Sequence, residues 1–167
     1  MRVTEAIRMR RSIRKFKDRR VSLDLIWEII DYARWAPSSK NRQPWEFIVT
    51  FDKKKIDFIS KAKGQEWICE VPAIILIISD PNKSPVYHDI DTAMAVQNIS
   101  LAALEYGLGT CWIGIYENKE VKRLFKIPDN LILVGALAIG YPAETPAPRS
   151  RKSVDEILYI DEYGRSK

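Results

Sequence analysis

The segment from Arg10 to Phe16, called the basic segment below, holds the residues of this chain best suited to bind an anion. Its sequence, Arg-Arg-Ser-Ile-Arg-Lys-Phe, carries four cationic side chains and a hydroxyl beside two apolar side chains. Such a cluster repels itself unless an anion lies among the charges. Phosphate is the natural candidate, because a guanidinium group matches phosphate oxygens in geometry as well as in charge. A second basic group could converge on the same anion in the folded chain; it consists of Arg149, Arg151 and Lys152.

The charge around this segment also allows a nucleic-acid interface. From Arg8 to Arg20 the chain carries eight Lys or Arg side chains against Asp18 alone. Such a stripe could follow a nucleic-acid backbone. No aromatic platform or recognition helix accompanies the charge, so the phosphate of a small ligand is the favoured partner.

Length and composition indicate one globular domain that spans residues 1–167. Hydrophobic residues make up 46% of the chain, charged residues make up 29%, and the net charge is +5. These values are typical of a soluble protein with a substantial core. The longest apolar run, Ala73 to Ile78, is far shorter than the roughly 18 residues of a membrane span. The amino terminus also lacks the apolar region of a signal peptide, so we expect a cytoplasmic protein without a membrane segment.

The chain offers few residues for metal or nucleophilic chemistry. With one histidine, His88, and two separated cysteines, it lacks the ligand spacing of a metal site. Cys69 and Cys111 could pair in principle, but each lies in apolar sequence, where cysteine commonly acts as a small buried hydrophobe. Ser12 has no matching His/Asp arrangement, so a serine hydrolase is not supported. We expect His88 to be exposed at a helix start. Three carboxylates are expected to be solvated or to cap helices: Asp89, Asp91 and Glu105.

Hydrophobic periodicity predicts the order α, α, β, α, β, α, β, α, β, followed by a proline-rich tail. The predicted helices cover residues 4–8, 23–35, 53–63, 88–106 and 119–125, with Thr4 and Ser22 as amino-terminal caps. The predicted strands cover residues 45–51, 73–78, 110–116 and 131–140. The second strand is continuously apolar, which indicates burial on both faces. Residues 154–160 could form a last helical turn or strand. No strand leads into a Gly-x-Gly-x-x-Gly sequence, so a Rossmann fold is not supported.

Four separated segments form an ordered set: the basic segment, Ala36–Trp45, Gly107–Gly114, and Gly140–Pro142 followed by Arg149 and Arg151. Their order and spacing resemble the nitroreductase family of FMN-dependent oxidoreductases, in particular its shorter members, from about residue 3 to residue 164. The resemblance implies an α+β sandwich with a mostly antiparallel central sheet flanked by helices. It also implies a homodimer with FMN in two interface clefts and the carboxyl-terminal tail exchanged between subunits.

The resemblance further implies which residues contact a tightly but non-covalently bound FMN. Arg10 and Ser12 would serve the phosphate and ribityl end, and Arg14 would reach the pyrimidine edge of the ring. Arg11 would contribute at least backbone contacts. The partner subunit would cover the flavin with Pro37, Ser38, Ser39 and Asn41. The ring would lie along Trp112, Ile113 and Gly114, and the phosphate would be closed off by Arg149 and Arg151. Gln65 is the candidate from a segment where some members place Asn and Lys against the pyrimidine edge.

The implied activity is transfer of two electrons from NAD(P)H, the co-substrate, through flavin N5. The acceptor would be a nitroaromatic, a quinone or a flavin, and the kinetics would be ping-pong. The cofactor would carry the chemistry, so no catalytic side chain is expected. Two alternatives stay open: a family member that binds or consumes flavin without general reductase activity, and a basic nucleic-acid-binding module.

Overall fold

A four-stranded antiparallel sheet lies at the centre of the computed structural model, which describes residues 1–165. The helices are α1 (Val3–Met9), α2 (Leu23–Ala33), α3 (Lys53–Lys63), α4 (His88–Glu105) and α5 (Lys119–Leu124). The strands are β1 (Trp45–Thr50), β2 (Ala73–Ser79), β3 (Gly109–Ile113) and β4 (Ile132–Gly140). Short 3-10 turns cover Ser39–Asn41, Glu66–Glu70 and Val154–Glu156. The predicted α+β class and the predicted order of elements are confirmed.

Helices cover both faces of the sheet. β2 is apolar at every position but the last, so its side chains must be shielded from water on both faces. The strand order is β1-β2-β4-β3, and all seven residues of β2 are buried. Side chains alternate along a strand, so Ile75 and Ile77 pack in a cluster with α2 and α4. Ile74 and Leu76 pack on the opposite face in a cluster with α3 and α5. The predicted burial of this strand on both faces is therefore confirmed.

Most predicted boundaries are correct to within a few residues. The cap at Ser22 is confirmed, since its Oγ accepts from the Leu25 amide at 3.2 Å. The cap at Thr4 is wrong, because α1 begins one residue earlier and Glu5 accepts from the Arg2 amide at 3.0 Å. Gly107 lies two residues after the end of α4 and has a φ of +68°, which confirms the predicted left-handed cap of that helix. The third strand ends at Ile113, three residues earlier than predicted.

The Ser22 cap gives a stability prediction. Ser22→Ala is expected to lower the free energy of unfolding by about 1 kcal/mol, because the Leu25 amide at the start of α2 loses its partner. Urea unfolding followed by circular dichroism measures this loss. Thr4→Ala is the matched control, since Thr4 caps no helix, and it should not destabilise the protein. An equal loss in both variants would contradict the assignment of the cap.

Two further sequence predictions concern the membrane and the thiols. Within residues 1–165, no helix combines the length and the apolar character that crossing a bilayer requires. Cys69 and Cys111 are both free thiols, the first half-buried and the second buried. Cys111 packs in the cluster with α3 and α5, so its assignment as a small buried hydrophobe is confirmed.

Candidate functional site

The basic segment runs beside the β3 edge of the sheet. Ser12 pairs in parallel with Thr110 of β3, and the Ile13 amide donates to the Thr110 carbonyl at 3.0 Å. Gly109 permits this approach, because a Cβ at that position would lie 2.5 Å from Ile13 Cγ1. Ile13 itself is buried and anchors the segment. The side chains of Arg10 and Ser12 are thereby held next to β3.

The other end of the basic segment is tied to the chain that follows β4. Phe16 forms an antiparallel bridge with Pro142. The backbone amides of Arg14 and Lys15 both donate to Glu144 Oε1, at 2.6 Å and 3.0 Å. A cationic segment is thus fixed at both ends, which limits how far its charges can move apart.

The side chain of Arg11 turns back onto the backbone of its own segment. Its Nη1 donates to the carbonyls of Arg8 at 2.6 Å and Arg10 at 2.9 Å, in the last turn of α1 and directly after it. Its Nε is buried and has no hydrogen-bond partner among the described residues. The guanidinium of Arg11 therefore braces the turn that presents Arg10.

A cavity of about 320 Å³ lies between the basic segment, α4 and β3. Its lining residues are Arg10, Ser12, Ala93, Val96, Gln97, Ser100, Thr110, Cys111, Trp112 and Leu137. The cavity thus combines a cation and hydroxyls with an indole and an apolar helix surface. Such a lining suits a ligand with a phosphate at one end and an apolar or aromatic part at the other.

Trp112 contributes the indole of this cavity. It alternates with the buried Cys111 and Ile113 along β3, and 43% of its surface is exposed. Its ring packs against β4 where Gly135 leaves room, since a Cβ there would lie 2.5 Å from Trp112 Cζ2. The sheet therefore holds the indole on its surface next to the cavity. Gly114, one residue after β3, is exposed.

The thiol of Cys111 reports the electrostatics at this place. Burial raises its pKa, while the positive charges of Arg14 and Arg10 and a hydrogen bond with Ser12 act in the opposite direction. Burial is the largest of these effects, so the thiol keeps its proton at neutral pH.

A second cation, which the sequence analysis did not select, lies beside the end of β3. A Cβ at Gly114 would lie 3.6 Å from Lys63 Nζ. Gln65, the residue selected from this stretch, instead accepts from Trp67 Nε1 at 3.2 Å. Arg14 lies over the same indole, with its Cζ 5.9 Å from the ring centroid. The end of α3 and the turn that follows it thus bring Lys63 and an Arg-Trp pair to this edge of the sheet.

Asp91 was expected to be solvated or to cap a helix, and this is wrong. It is buried in α4, where both carboxylate oxygens lie 3.2 Å from the Ser39 amide nitrogen. The carboxylate fixes the loop that holds Ser38, Ser39 and Asn41. The expectation failed because the partner lies 52 residues earlier in the chain.

The exposed position expected for His88 is also wrong. Its side chain is 18% exposed, and its Nδ1 lies 2.9 Å from Ser79 Oγ and 3.0 Å from Asp89 Oδ1. Asp89 also accepts from Ser79 at 2.9 Å and from Tyr116 at 3.3 Å. Burial, followed by the Asp89 carboxylate, raises the pKa of Tyr116. This polar cluster joins the end of β2 to the start of α4, on residues that do not line the cavity beside Arg10.

The remaining selected residues lie apart from this cavity within residues 1–165. Pro37 and Asn41 are exposed, and Ser38 and Ser39 are half-buried near the start of α4. Arg149 and Arg151 are exposed in the tail, and Arg151 donates to carbonyls of its own segment. One chain therefore brings together Arg10, Ser12 and Trp112. Sequence reasoning missed three polar residues of the lining: Gln97, Ser100 and Thr110. Each interrupts the apolar pattern of α4 or β3, and that interruption was the signal that could have identified it.

Large apolar side chains are exposed along α1, α2 and the tail. Trp27 and Trp35 are 77% and 72% exposed. Tyr32 and Trp35 line an apolar groove of about 470 Å³ between α1, α2 and α4. In the tail, Ile157, Leu158 and Tyr163 are also exposed. Large exposed apolar side chains lining a groove of this kind are typical of a surface that binds another protein.

Comparison with known proteins identifies relatives over almost the whole chain. The sequence profile described as the nitroreductase family matches residues 7–62 and 53–141. A Methanothermobacter thermautotrophicus protein, provisionally designated NADH dehydrogenase/NAD(P)H nitroreductase, is 37% identical over 164 residues, covering 94% of this chain and 86% of that protein. A Parabacteroides distasonis crystal structure with the same provisional designation has a TM-score of 0.90 and 30% identity, covering 96% of this chain and 98% of that one. An FMN-dependent nitroreductase from Clostridium difficile has a TM-score of 0.82 and 31% identity, covering 95% and 98%.

Proposed function

This chain belongs to the nitroreductase family, and from that membership we propose that it is a single-domain, FMN-dependent oxidoreductase with NAD(P)H as electron donor. The finer proposal is that two electrons pass to a nitroaromatic, quinone or flavin acceptor by ping-pong kinetics. The nicotinamide would leave before the acceptor binds in the same place. The observation that carries the proposal is the cavity beside β3, in which a cation, hydroxyls and an indole converge on one ligand-sized space.

The residues that line this cavity fit the chemistry of FMN. The FMN phosphate carries close to two negative charges at neutral pH, which suits an arginine that is braced by its neighbour's guanidinium. The hydroxyls of Ser12, Ser100 and Thr110 suit a polar ribityl chain. Trp112 and the adjoining α4 surface supply an apolar region for the ring. The position of Gly114 is open, because Lys63 Nζ is the nearest atom that a Cβ there would meet.

We propose the following division of the binding work. Arg10 and Ser12 hold the phosphate and ribityl end, while Arg14 and Lys63 offer positive charge to the pyrimidine edge. Arg11 acts through its backbone and through the turn that it braces. Trp112 and Gly114 present the exposed surface along the ring, while Ile113, whose side chain is buried, contributes its backbone. Lys63 takes the role for which Gln65 was first selected, because Lys63 Nζ lies beside the Gly114 position, whereas the Gln65 side chain is exposed and its Oε1 accepts from Trp67.

The partner subunit completes the site in this proposal. Pro37, Ser38, Ser39 and Asn41 do not line the cavity of their own chain within residues 1–165, so they are free to cover the partner's FMN. Arg149 and Arg151 lie in an exposed tail with apolar residues beyond them, which suits a tail packed on a second copy. The exposed Trp27 of α2 and the exposed Trp35, two residues after that helix, support the same homodimer.

The side chains of this chain act by positioning and by electrostatics. When bound, FMN supplies the chemistry, taking a hydride at N5 and passing two electrons on. Arg14 and Lys63 would stabilise the negative charge that reduction leaves on the pyrimidine side, because fixed cations near developing charge need no reorganisation. The Cys111 thiol is protonated and buried, so it is not offered as a nucleophile. No acid or base from the protein is required.

An absorbance spectrum of the purified protein, followed by anaerobic titration, tests the proposed function. We expect a yellow protein, or a colourless one that takes up FMN from excess. Either NADH or NADPH should bleach the flavin absorbance, and steady NAD(P)H oxidation should require an added acceptor. A protein that takes up no FMN would contradict the proposal. Uptake and bleaching without steady turnover would instead favour a flavin-binding or flavin-consuming member of the family.

A further inference from the structure

The buried carboxylate of Asp91 has an unusual set of partners. Asp91 is 4% exposed, and its oxygens accept from the Ser39 amide and from the Ser84 hydroxyl, each at 3.2 Å. None of the ion pairs formed within residues 1–165 includes Asp91. A buried charge needs such donors, and the amino-terminal end of α4 adds favourable dipoles. The Ser39 amide therefore stabilises the buried carboxylate, and the carboxylate in turn fixes the Ser39 amide.

The loop on the other side of this contact has a demanding backbone conformation. Lys40, Asn41 and Gln43 have φ values of +52°, +57° and +48°. Residues other than glycine rarely adopt this region, and they stay there only where the surroundings hold them. Within the loop, the Asn41 amide donates to the Ser38 carbonyl at 2.9 Å and the Gln43 amide donates to Ser38 Oγ at 3.0 Å. Asp91 adds the tie from this loop to α4.

The same contacts decide which loop groups are left for a ligand. Ser38 Oγ is used by the Gln43 amide, and the Ser39 amide is used by Asp91. Within residues 1–165, the Ser39 hydroxyl and the Asn41 side-chain amide make no hydrogen bond. These two groups are therefore available to a ligand, next to the exposed side chains of Lys40 and Arg42.

We infer that Asp91 is a positioning residue, which holds the Ser39 amide so that the Ser39 hydroxyl and the Asn41 amide are preformed for the flavin. The inference rests on the proposed function, because it takes FMN as the ligand of this loop. Asp91 does not itself touch the ligand. It lowers the conformational freedom that the loop would otherwise lose on binding, and such preorganisation raises affinity.

Two measurements on Asp91→Asn test this role, with Asp89→Asn as the matched control. Asp89 lies on the same turn of α4, and its substitution removes the same charge, but its partners are His88, Ser79 and Tyr116. In Asp91→Asn we expect FMN to bind about ten-fold more weakly, as measured by quenching of flavin fluorescence. Amide hydrogen exchange of residues 38–43 in the ligand-free protein should become faster, while exchange in β2 stays unchanged. Asp89→Asn should match the wild type in both measurements.

The two measurements separate failure of this inference from failure of the proposed function. If the wild type binds no FMN, the proposed function fails, and exchange of residues 38–43 still tests the Asp91 contact. If the wild type binds FMN and Asp91→Asn matches it in affinity and in loop exchange, the positioning role is wrong. Lower global stability without faster exchange of the loop would also overturn it.

Ser84→Ala covers the case in which Asp91→Asn does not fold. This variant keeps the carboxylate and removes one of its donors. It should change FMN affinity and loop exchange in the same directions as Asp91→Asn, by a smaller factor. Wild-type values of both quantities in Ser84→Ala, with Asp91→Asn unfolded, would contradict the inference.

Discussion

Replacing Arg10 with alanine is expected to weaken FMN binding by about 1.5–3 kcal/mol, or roughly 10- to 150-fold in Kd. The reason is that Arg10 is half-buried beside the cavity, where a charged hydrogen bond to phosphate is only partly screened by water. Titration of the ligand-free variant with FMN, followed by flavin fluorescence, measures the change. Arg151→Ala should give a loss in the same range, because the exchanged tail would bury this guanidinium against the phosphate.

Arg8→Ala is the matched control for these two variants. The substitution removes one charge from the same stretch. The Arg8 side chain is exposed, however, and Arg11 donates only to the Arg8 backbone carbonyl, which the variant keeps. Its effect should be small and should disappear at high salt, as for a distant surface charge. Ser39→Ala should weaken binding less than Arg10→Ala, since it removes one neutral hydrogen bond. Unchanged flavin content in both Arg10→Ala and Arg151→Ala would contradict the assignment of the phosphate site.

The layered fold was predictable from local patterns. The continuous apolar run of β2 indicated a strand covered on both faces, and the Ser22 cap and the glycine after α4 marked helix ends through known backbone preferences. These features depend on residues within a few positions of one another. The chain order of helices and strands follows from them, whereas the sheet order β1-β2-β4-β3 is a property of the whole fold.

The parts of the site that sequence reasoning missed depend on distant contacts. A carboxylate near the start of a helix usually faces water, and only the packing of α4 against the loop before β1 buries Asp91. Lys63 and Gln65 lie in the same short stretch that the resemblance pointed to, and Gln65 was selected from it. Gly64, with φ +67°, turns the chain between them, so that Gln65 meets Trp67 and Lys63 lies beside Gly114. A change of direction at one residue thus decided which polar group lies near β3.

Mixed dimers give the sharpest expected result for the shared site. Arg10 lines the cavity beside β3 of its own chain, whereas Asn41 does not line that cavity within residues 1–165. If Asn41 covers the partner's FMN, a dimer of one Arg10→Ala chain and one Asn41→Ala chain has one cleft with both defects and one cleft with neither. Each homodimeric variant has two defective clefts. The mixed dimer is therefore expected to retain one tightly bound FMN, while both homodimers lose theirs at the same free FMN concentration.

The experiment uses two affinity tags on co-expressed chains, so that only mixed dimers survive both purification steps, and it measures bound flavin per dimer by absorbance. A doubly tagged dimer of two Arg10→Ala chains is the control, because it passes through the same steps without an intact cleft. If both residues served a cleft built from one chain, each cleft of the mixed dimer would carry one defect and no tight site would return. Flavin in the mixed dimer no higher than in the control would therefore rule out a site shared between subunits.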